Sequence, residues 1–431
     1  MRRSRTSSVC AVLPLLLLLA TAPGRLLGQA GPAGEAESTA DLLAIADEYR
    51  VPGLEDRRFT HDEYWDAMDT VLEADTENRV RVDRLGASVE GRTINAVTLG
   101  HGPVSVLLWS QMHGDESAAS MSLADIVHWW AASPDGDPLR RELGGRLTIT
   151  MIPMLNPDGA ERFIRHDALG VDVNRDARRL ATPEARILKA VRDSLDADFG
   201  FNLHDQGSRT AGPDGELVGI ALLAPAADEE RSWGPVRQRA RRLSGVIAAV
   251  LQPEIPGRIA RYDDTFTPRA FGDNMQRWGT STVLIESGAL PDDPQKQELR
   301  RLNVLAILAA LESVADGSLE TAPTAPYDEL PMNLGITNDV ILSGGLLVWA
   351  DGSTYPVDVA IVDADPVAHT GPTYGEIGDL SEVRALKRLD LTGLYLHPDF
   401  GDAGYLRRGD PVRLVVRRGP EPDSEAVMNI P

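Results

Sequence analysis

VSVLLWSQMHGDES, residues 104–117, reads as a strand that runs into chemistry. Val104–Ser110 is apolar almost throughout, the pattern of a strand covered on both faces. His113 stands just past it, and Glu116 opens the next expected helix, Glu116–Ala131. Ligand sites in open α/β sheets gather at the carboxyl ends of the strands. A spacing of three lets an imidazole and a carboxylate converge as the chain turns into a helix, and both are good zinc ligands.

Outward from this stretch, short apolar runs alternate with amphipathic ones. The strands expected are Val80–Leu85, Ile94–Leu99, Leu147–Ile152, Phe199–Leu203 and Val283–Ile285. The further helices are Glu63–Ala74, Pro183–Leu195, Pro235–Val250 and Pro294–Ala315. Alternation of this kind over residues 41–317 predicts an α/β layered sheet. Residues 31–40 are small and polar and read as a disordered lead-in. Residues 316–331 (DGSLETAPTAPYDELP) are rich in Pro, Thr, Ala and acids, and on them 318–333 reads as a linker. Residues 334–431 show short β-type runs between Gly, Asp and Pro, which predicts a small C-terminal β domain. That domain offers no HxH pair and is assigned no site of its own.

The chain of 431 residues has an ordinary share of apolar (42%) and charged (25%) residues, which excludes a disordered or fibrous protein. Its formal charge of −22 excludes phosphate-backbone binding, so no nucleic-acid partner is expected. Residues 1–30 combine Arg2, Arg3 and Arg5 with an apolar stretch from Val9 to Ala22 and small residues at Gly28 and Ala30. This is a secretory signal pattern. Cleavage falls near Ala30 or at Ala22, and the apolar run is too short for a membrane span. A secreted or periplasmic protein is expected, with no stable span after signal removal. The one cysteine, Cys10, lies inside this segment. A mature chain without disulfides is held together by its core or by a metal.

Three more stretches carry candidate groups. In FGFNLHDQG (199–207), His204 ends an apolar strand and could complete a two-His, one-carboxylate set with one position open for water. In STVLIESGAL (281–290), Glu286 follows a β-rich run and suits a general base. In MLNPDGAERFIRHDALGVDVNRDA (154–177), Arg162, Arg165, Asn174 and Arg175 gather in an otherwise acidic protein. Arginine forks match carboxylates in bidentate fashion and also stabilise oxyanions. A salt-bridge network is the competing reading, because Asp167, Asp172 and Asp176 are interleaved.

Taken in order, HGDE (113–116), NPDG (156–159), GVDVNRD (170–176), NLHDQ (202–206) and IESG (285–288) resemble the zinc carboxypeptidase family, the metallocarboxypeptidases of M14 type. The resemblance covers roughly Phe59 to Ser313. It implies a three-layer αβα sandwich with a mixed, mostly eight-stranded sheet. It also implies one zinc ion per chain, with His113, Glu116 and His204 as ligands and Glu286 as general base. Asn174 and Arg175 then match the pair that holds a substrate's terminal carboxylate, and Asp172 the carboxylate that orients a ligand histidine. Arg165 matches the arginine that polarises the scissile carbonyl, with Arg162 as competitor. Tyr262 matches the substrate-capping tyrosine.

The separation of His113 and His204 is compact and resembles bacterial members. Asp205 and Gln206 depart from the digestive branch, which bears on substrate preference more than on metal binding. The implied activity is hydrolysis of the C-terminal peptide bond of a peptide or peptide-like substrate with a free carboxylate. A zinc amidohydrolase acting on N-acyl amino acids or peptidoglycan stem peptides is the alternative. A metal-free binding module is a third reading.

Overall fold

The run at Val104–Trp109 occupies the inside of an eight-stranded sheet. The computed structural model describes residues 32–430, apart from 214, 336–337, 363–370 and 402–403, with side chains from residue 39 onward. The signal segment 1–30 and the first residue of the lead-in lie outside the described residues.

The strands in chain order are β1 (Val80–Ala87), β2 (Thr93–Gly100), β3 (Val104–Trp109), β4 (Leu147–Ile152), β5 (Phe199–Asp205), β6 (Arg209–Ala211), β7 (Ile220–Leu223), β8 (Ile259–Arg261) and β9 (Ser281–Ser287). All except β6 form the sheet, in the order β1-β2-β4-β3-β5-β9-β7-β8. The centre is parallel, through β4/β3, β3/β5 and β5/β9, whereas β1/β2, β2/β4 and β7/β9 are antiparallel. The sheet is therefore mixed, as expected.

The helices are α1 (Pro32–Glu48), α2 (His61–Glu73), α3 (Ala118–Ala132), α4 (Pro138–Arg146), α5 (Pro157–Arg162), α6 (Pro183–Leu195), α7 (Pro235–Leu251), α8 (Phe271–Arg277) and α9 (Gln297–Ala315). Side chains on a strand alternate between faces, and β3 shows what each face meets. Val106 and Leu108 join a core with residues of α3, α7 and α9. Leu107 and Trp109 join a second core with Ala185 and Leu188 of α6 and Phe271 and Met275 of α8. Helices on both faces of one sheet make three layers. The apolar run of β3 is thus buried on both sides, at roughly 2 kcal/mol for each large side chain taken from water.

Several boundaries differ from the sequence reading. Residues 32–40, expected to be a disordered lead-in, are helical and belong to α1. Glu116 does not open a helix: α3 begins at Ala118, and residues 113–116 form a turn closed by the Glu116 N–H on the His113 carbonyl at 3.2 Å. α9 begins at Gln297 instead of Pro294, because Asp293 caps it by accepting from the N–H groups of Gln297 (2.6 Å) and Glu298 (3.0 Å). The segment 318–333 is folded. It holds a 3₁₀ turn (Ser318–Thr321) and α10 (Ala325–Asp328), whose Asp328 takes a two-pronged bond from Arg241 of α7 at 2.6 Å on each prong.

Beyond it, β10 (Asn333–Gly335) pairs with β6. The remaining strands are β11 (Asn338–Ser343), β12 (Leu346–Val348), β13 (Thr354–Pro356), β14 (Asp358–Val362), β15 (Thr373–Gly378), β16 (Ala385–Asp390), β17 (Tyr395–Pro398), β18 (Leu414–Arg417) and β19 (Ala426–Ile430). They form two sheets, β15-β14-β11-β16 and β13-β12-β17-β18-β19, which share a core of Leu342, Val359, Tyr374, Leu396 and Val416. This is the small β region anticipated at the C-terminus.

Candidate metal centre

After β3 the chain leaves the sheet through Gln111, a non-glycine residue at φ 45°, and docks against the segment that carries NPDG. The Leu155 and Asn156 N–H groups donate to the carbonyls of Ser110 (3.1 Å) and Gln111 (2.9 Å). Gly114 closes this contact, because a Cβ there would lie 1.9 Å from the carbonyl carbon of Gly159. The two motifs are therefore packed backbone to backbone, and this fixes His113.

His113, Glu116 and His204 are all buried and offer ligand atoms within 4.8 Å of one another. His113 Nδ1 lies 2.7 Å from Glu116 Oε1, and His204 Nδ1 lies 2.6 Å from Oε2 of the same carboxylate. The His113 Nε2 faces Asp172 Oδ1 at 3.1 Å. That bond sets the ring so that Nδ1 points inward, the usual way a carboxylate orients a ligand histidine. Two imidazole nitrogens and one carboxylate converging on a point make a donor set that suits zinc. The residues fit the ion that the motifs imply.

Electrostatics follow the same geometry. Burial works against the charge on Glu116, but the two imidazoles outweigh it and hold the carboxyl below its ordinary range. Burial opposes protonation of His113, yet Glu116 and the bond to Asp172 push it up to about 9. Burial dominates at His204 and lowers it. Asp172, also penalised by burial, is held low by His113 and Arg165.

Glu286 stands on β9 directly opposite His204 on β5, in the parallel register His204↔Glu286. Burial, and then the charge of Glu116, raise its carboxyl well above the ordinary value. Arg165 reaches Asp172 Oδ2 from Nε (3.1 Å) and Nη2 (3.0 Å), and Glu116 Oε1 from Nη1 (3.2 Å). Arg162 turns the other way, to Glu90 and the Asp158 carbonyl, and does not reach the cavity. The Asn174 Oδ1 accepts from the Phe271 N–H at 2.9 Å and its Nδ2 lies 3.2 Å from His204 Nε2, so the amide braces the histidine. Arg175 spends one nitrogen on the Asn174 carbonyl at 2.8 Å.

All eight expected site residues, Tyr262 included, line one cavity of about 840 Å³. The same cavity takes in residues that sequence reasoning passed over. Asp205 pairs with Lys296 at 3.2 Å, and the Lys296 Nζ also donates to the Ser287 carbonyl at 2.9 Å. The lysine thus ties together the ends of β5 and β9, next to His204 and Glu286. Arg209 lies with its guanidinium 5.3 Å from the centre of the Tyr262 ring. No motif signals Arg209 or Lys296, since both owe their place to tertiary contacts.

Comparison with known proteins bears on the same segment. Residues 66–204 match the family model described as zinc carboxypeptidase. By that match this segment is similar to the zinc carboxypeptidase family. Among curated relatives, the chain is 28% identical over 185 residues to "Probable carboxypeptidase 2" of Arthroderma benhamiae, covering 42% of this chain and 33% of that protein. It is 23% identical over 320 residues to carboxypeptidase 2 of Trichophyton rubrum, covering 67% and 58%. The matches therefore span between a third and about three-fifths of these relatives. Among solved structures, a metallo-carboxypeptidase from Burkholderia cenocepacia aligns with TM-score 0.47 at 22% identity, covering 59% of this chain and 69% of that one. Carboxypeptidase A from Helicoverpa armigera aligns with TM-score 0.49 at 15% identity, covering 66% and 81%. Among the described residues no helix is long and apolar enough to cross a membrane.

Proposed function

We propose that the chain is a zinc-dependent exopeptidase that hydrolyses the C-terminal peptide bond of a peptide or peptide-like substrate. The observation that supports it best is the placement of Glu286 opposite His204 in the cavity that also holds the three converging donors. His113, Glu116 and His204 would hold one zinc ion, which supplies Lewis acidity toward water and the scissile carbonyl.

Glu286 takes a proton from the attacking water as its oxygen bonds to the carbonyl carbon. It then delivers that proton to the departing amide nitrogen, so the C–N bond breaks to give a carboxylate and an amine. Burial raises the proton affinity of the Glu286 carboxylate, so in its ionised form it is a stronger base toward the water proton and then carries that proton to the leaving nitrogen. Arg165 donates to the carbonyl oxygen as negative charge develops there, a contribution of about 3 kcal/mol by comparison with other oxyanion donors. Arg175, with Asn174 behind it, takes the free terminal carboxylate and makes cleavage exo. Tyr262 closes over the bound residue. The catalytic region is taken as residues 41–317, with the β region from 334 as its companion. Export to the periplasm or the exterior, after loss of residues 1–30, is part of the same reading.

The test combines metal analysis with turnover. The parent should bind about one zinc per chain and lose activity with a chelator. Glu286→Gln should retain zinc while turnover falls by about 10²–10⁴-fold. Full activity in Glu286→Gln removes the base. Turnover of N-acyl amino acids, with no cleavage of free-acid peptides, favours the amidohydrolase reading instead.

A further inference from the structure

The basic groups around the cavity differ in what holds them. Arg165 is ion-paired with Glu116 and Asp172, and Lys296 with Asp205. Among the described residues, Arg209 and Arg175 are ion-paired with no carboxylate, in a chain whose formal charge is −22. With so many acids available, a lined-up guanidinium left without one stands out.

Arg209 is also built in place. Its carbonyl accepts from the Val218 N–H at 2.9 Å, and β6 pairs with β10 in the register Gly335↔Arg209. On the far side, the Gly212 N–H donates to the Met332 carbonyl and the Arg261 N–H to the Pro331 carbonyl, each at 2.8 Å. The segment Pro331–Gly335 therefore joins the strand that carries Arg209 to the strand that leads into Tyr262. A Cβ on Gly335 would come within 3.4 Å of Arg209 Nη1, so the backbone of β10 runs alongside the guanidinium. The guanidinium carbon lies over the Tyr262 ring, 5.3 Å from its centre. A cation–π contact engages the charge with no carboxylate partner, and the guanidinium carries five N–H donors arranged in a fork. That fork matches a carboxylate in bidentate fashion.

We infer that Arg209 is a substrate-binding residue that takes a second anionic group, so that the preferred substrate carries a carboxylate besides the terminal one held by Arg175. This rests on the exopeptidase reading of the cavity. Arg175 and Arg209 then act as two anchors, the first for the chain terminus and the second for an acidic side chain. The C-terminal β region contributes to specificity through β10, which holds the second anchor.

The test uses the zinc-loaded full chain and two pairs of blocked dipeptides, acetyl-Ala-Glu against acetyl-Ala-Gln and acetyl-Glu-Ala against acetyl-Gln-Ala. The parent should favour the Glu member of at least one pair by about tenfold in kcat/KM. Arg209→Gln should bring that ratio close to one, with zinc content unchanged. A parent ratio near one in both pairs, or a ratio that survives Arg209→Gln, overturns the inference. Dissociation constants for the same peptides keep it separate from the peptidase reading. Charge-sensitive binding that depends on Arg209, without turnover, supports the anchor and sinks only the peptidase. Turnover with charge-blind binding sinks only the anchor.

Discussion

β3 and β11 are both six residues long and both contribute to a buried core, yet they end in different ways. β3 is covered on both faces by helices, which leaves its carboxyl end as the opening of the layer, and His113 sits there. β11 belongs to a sandwich of sheets, with its main core on one face, and it ends in the turn at Gly344. A layered sheet with helical crossovers concentrates its strand ends at one rim, where charged groups from distant segments can be buried together. A sheet sandwich places its polar groups outward along every strand. The first region therefore carries buried ions, and the second lends a wall.

The contrast can be broken most directly at Arg300. It is fully buried and bonds Asp125, also buried, through Nε at 2.7 Å and Nη2 at 2.5 Å. Arg300→Ala should cost about 3–5 kcal/mol in denaturant unfolding, because it strands a buried carboxylate. A cost under about 1 kcal/mol would mean that buried ions do not distinguish the helical region. A matched pair of truncations comes next. Leu108→Ala on β3 and Leu396→Ala on β17 both remove fully buried side chains. Each falls within about 2–5 kcal/mol, with Leu108 at the upper end because it lies in the larger core that the sheet shares with α3, α7 and α9, whereas Leu396 lies in the smaller core of the two C-terminal sheets. Equal costs would erase the difference in packing.

The smallest effect depends on pH. Glu184 of α6 is fully buried, and among the described residues no side chain hydrogen-bonds its carboxylate. Burial, with Asp167 and Asp158 nearby, raises its pKa from 4.5 to about 7. A carboxyl with a raised folded-state pKa contributes fully below the unfolded value, and that contribution is lost as pH climbs from about 4.5 through about 7. Glu184→Gln should therefore match the parent at pH 4 and exceed it above pH 7, by on the order of 2 kcal/mol. In the C-terminal region the perturbed acids include Asp351, Asp379 and Asp390, which are exposed and lowered by turn hydrogen bonds to Ser353, Ser381 and Thr392. A thermal scan in which the Glu184→Gln gain is flat with pH would place the titration elsewhere.

These contrasts also explain what could be read from sequence. β3, β4 and β5 were legible because continuous apolar runs leave little choice of element, and His113, Glu116 and His204 were legible because they sit at or just past those runs. β7 and β8 were missed: with four and three residues, they exist only through pairing with β9 and with each other. The start of α3 was misplaced because Asp115 and Glu116 resemble a helical first turn, whereas Glu116 points back toward two imidazoles. Arg165 and Arg162 could not be told apart from spacing alone. The turn at Phe163, in the left-handed region at φ 51°, lies between them, and they end on different partners. Arg209 carried no signal, since its role depends on a strand more than a hundred residues downstream.

The register of β9 against β5 has a consequence of its own. A slip of one residue would present Ile285 or Ser287 where the carboxylate belongs and would turn Glu286 toward the apolar layer that Val283 and Ile285 fill. Catalytic geometry and core packing are therefore locked to the same alignment, so a chain that melts cooperatively has already put its carboxylate in place.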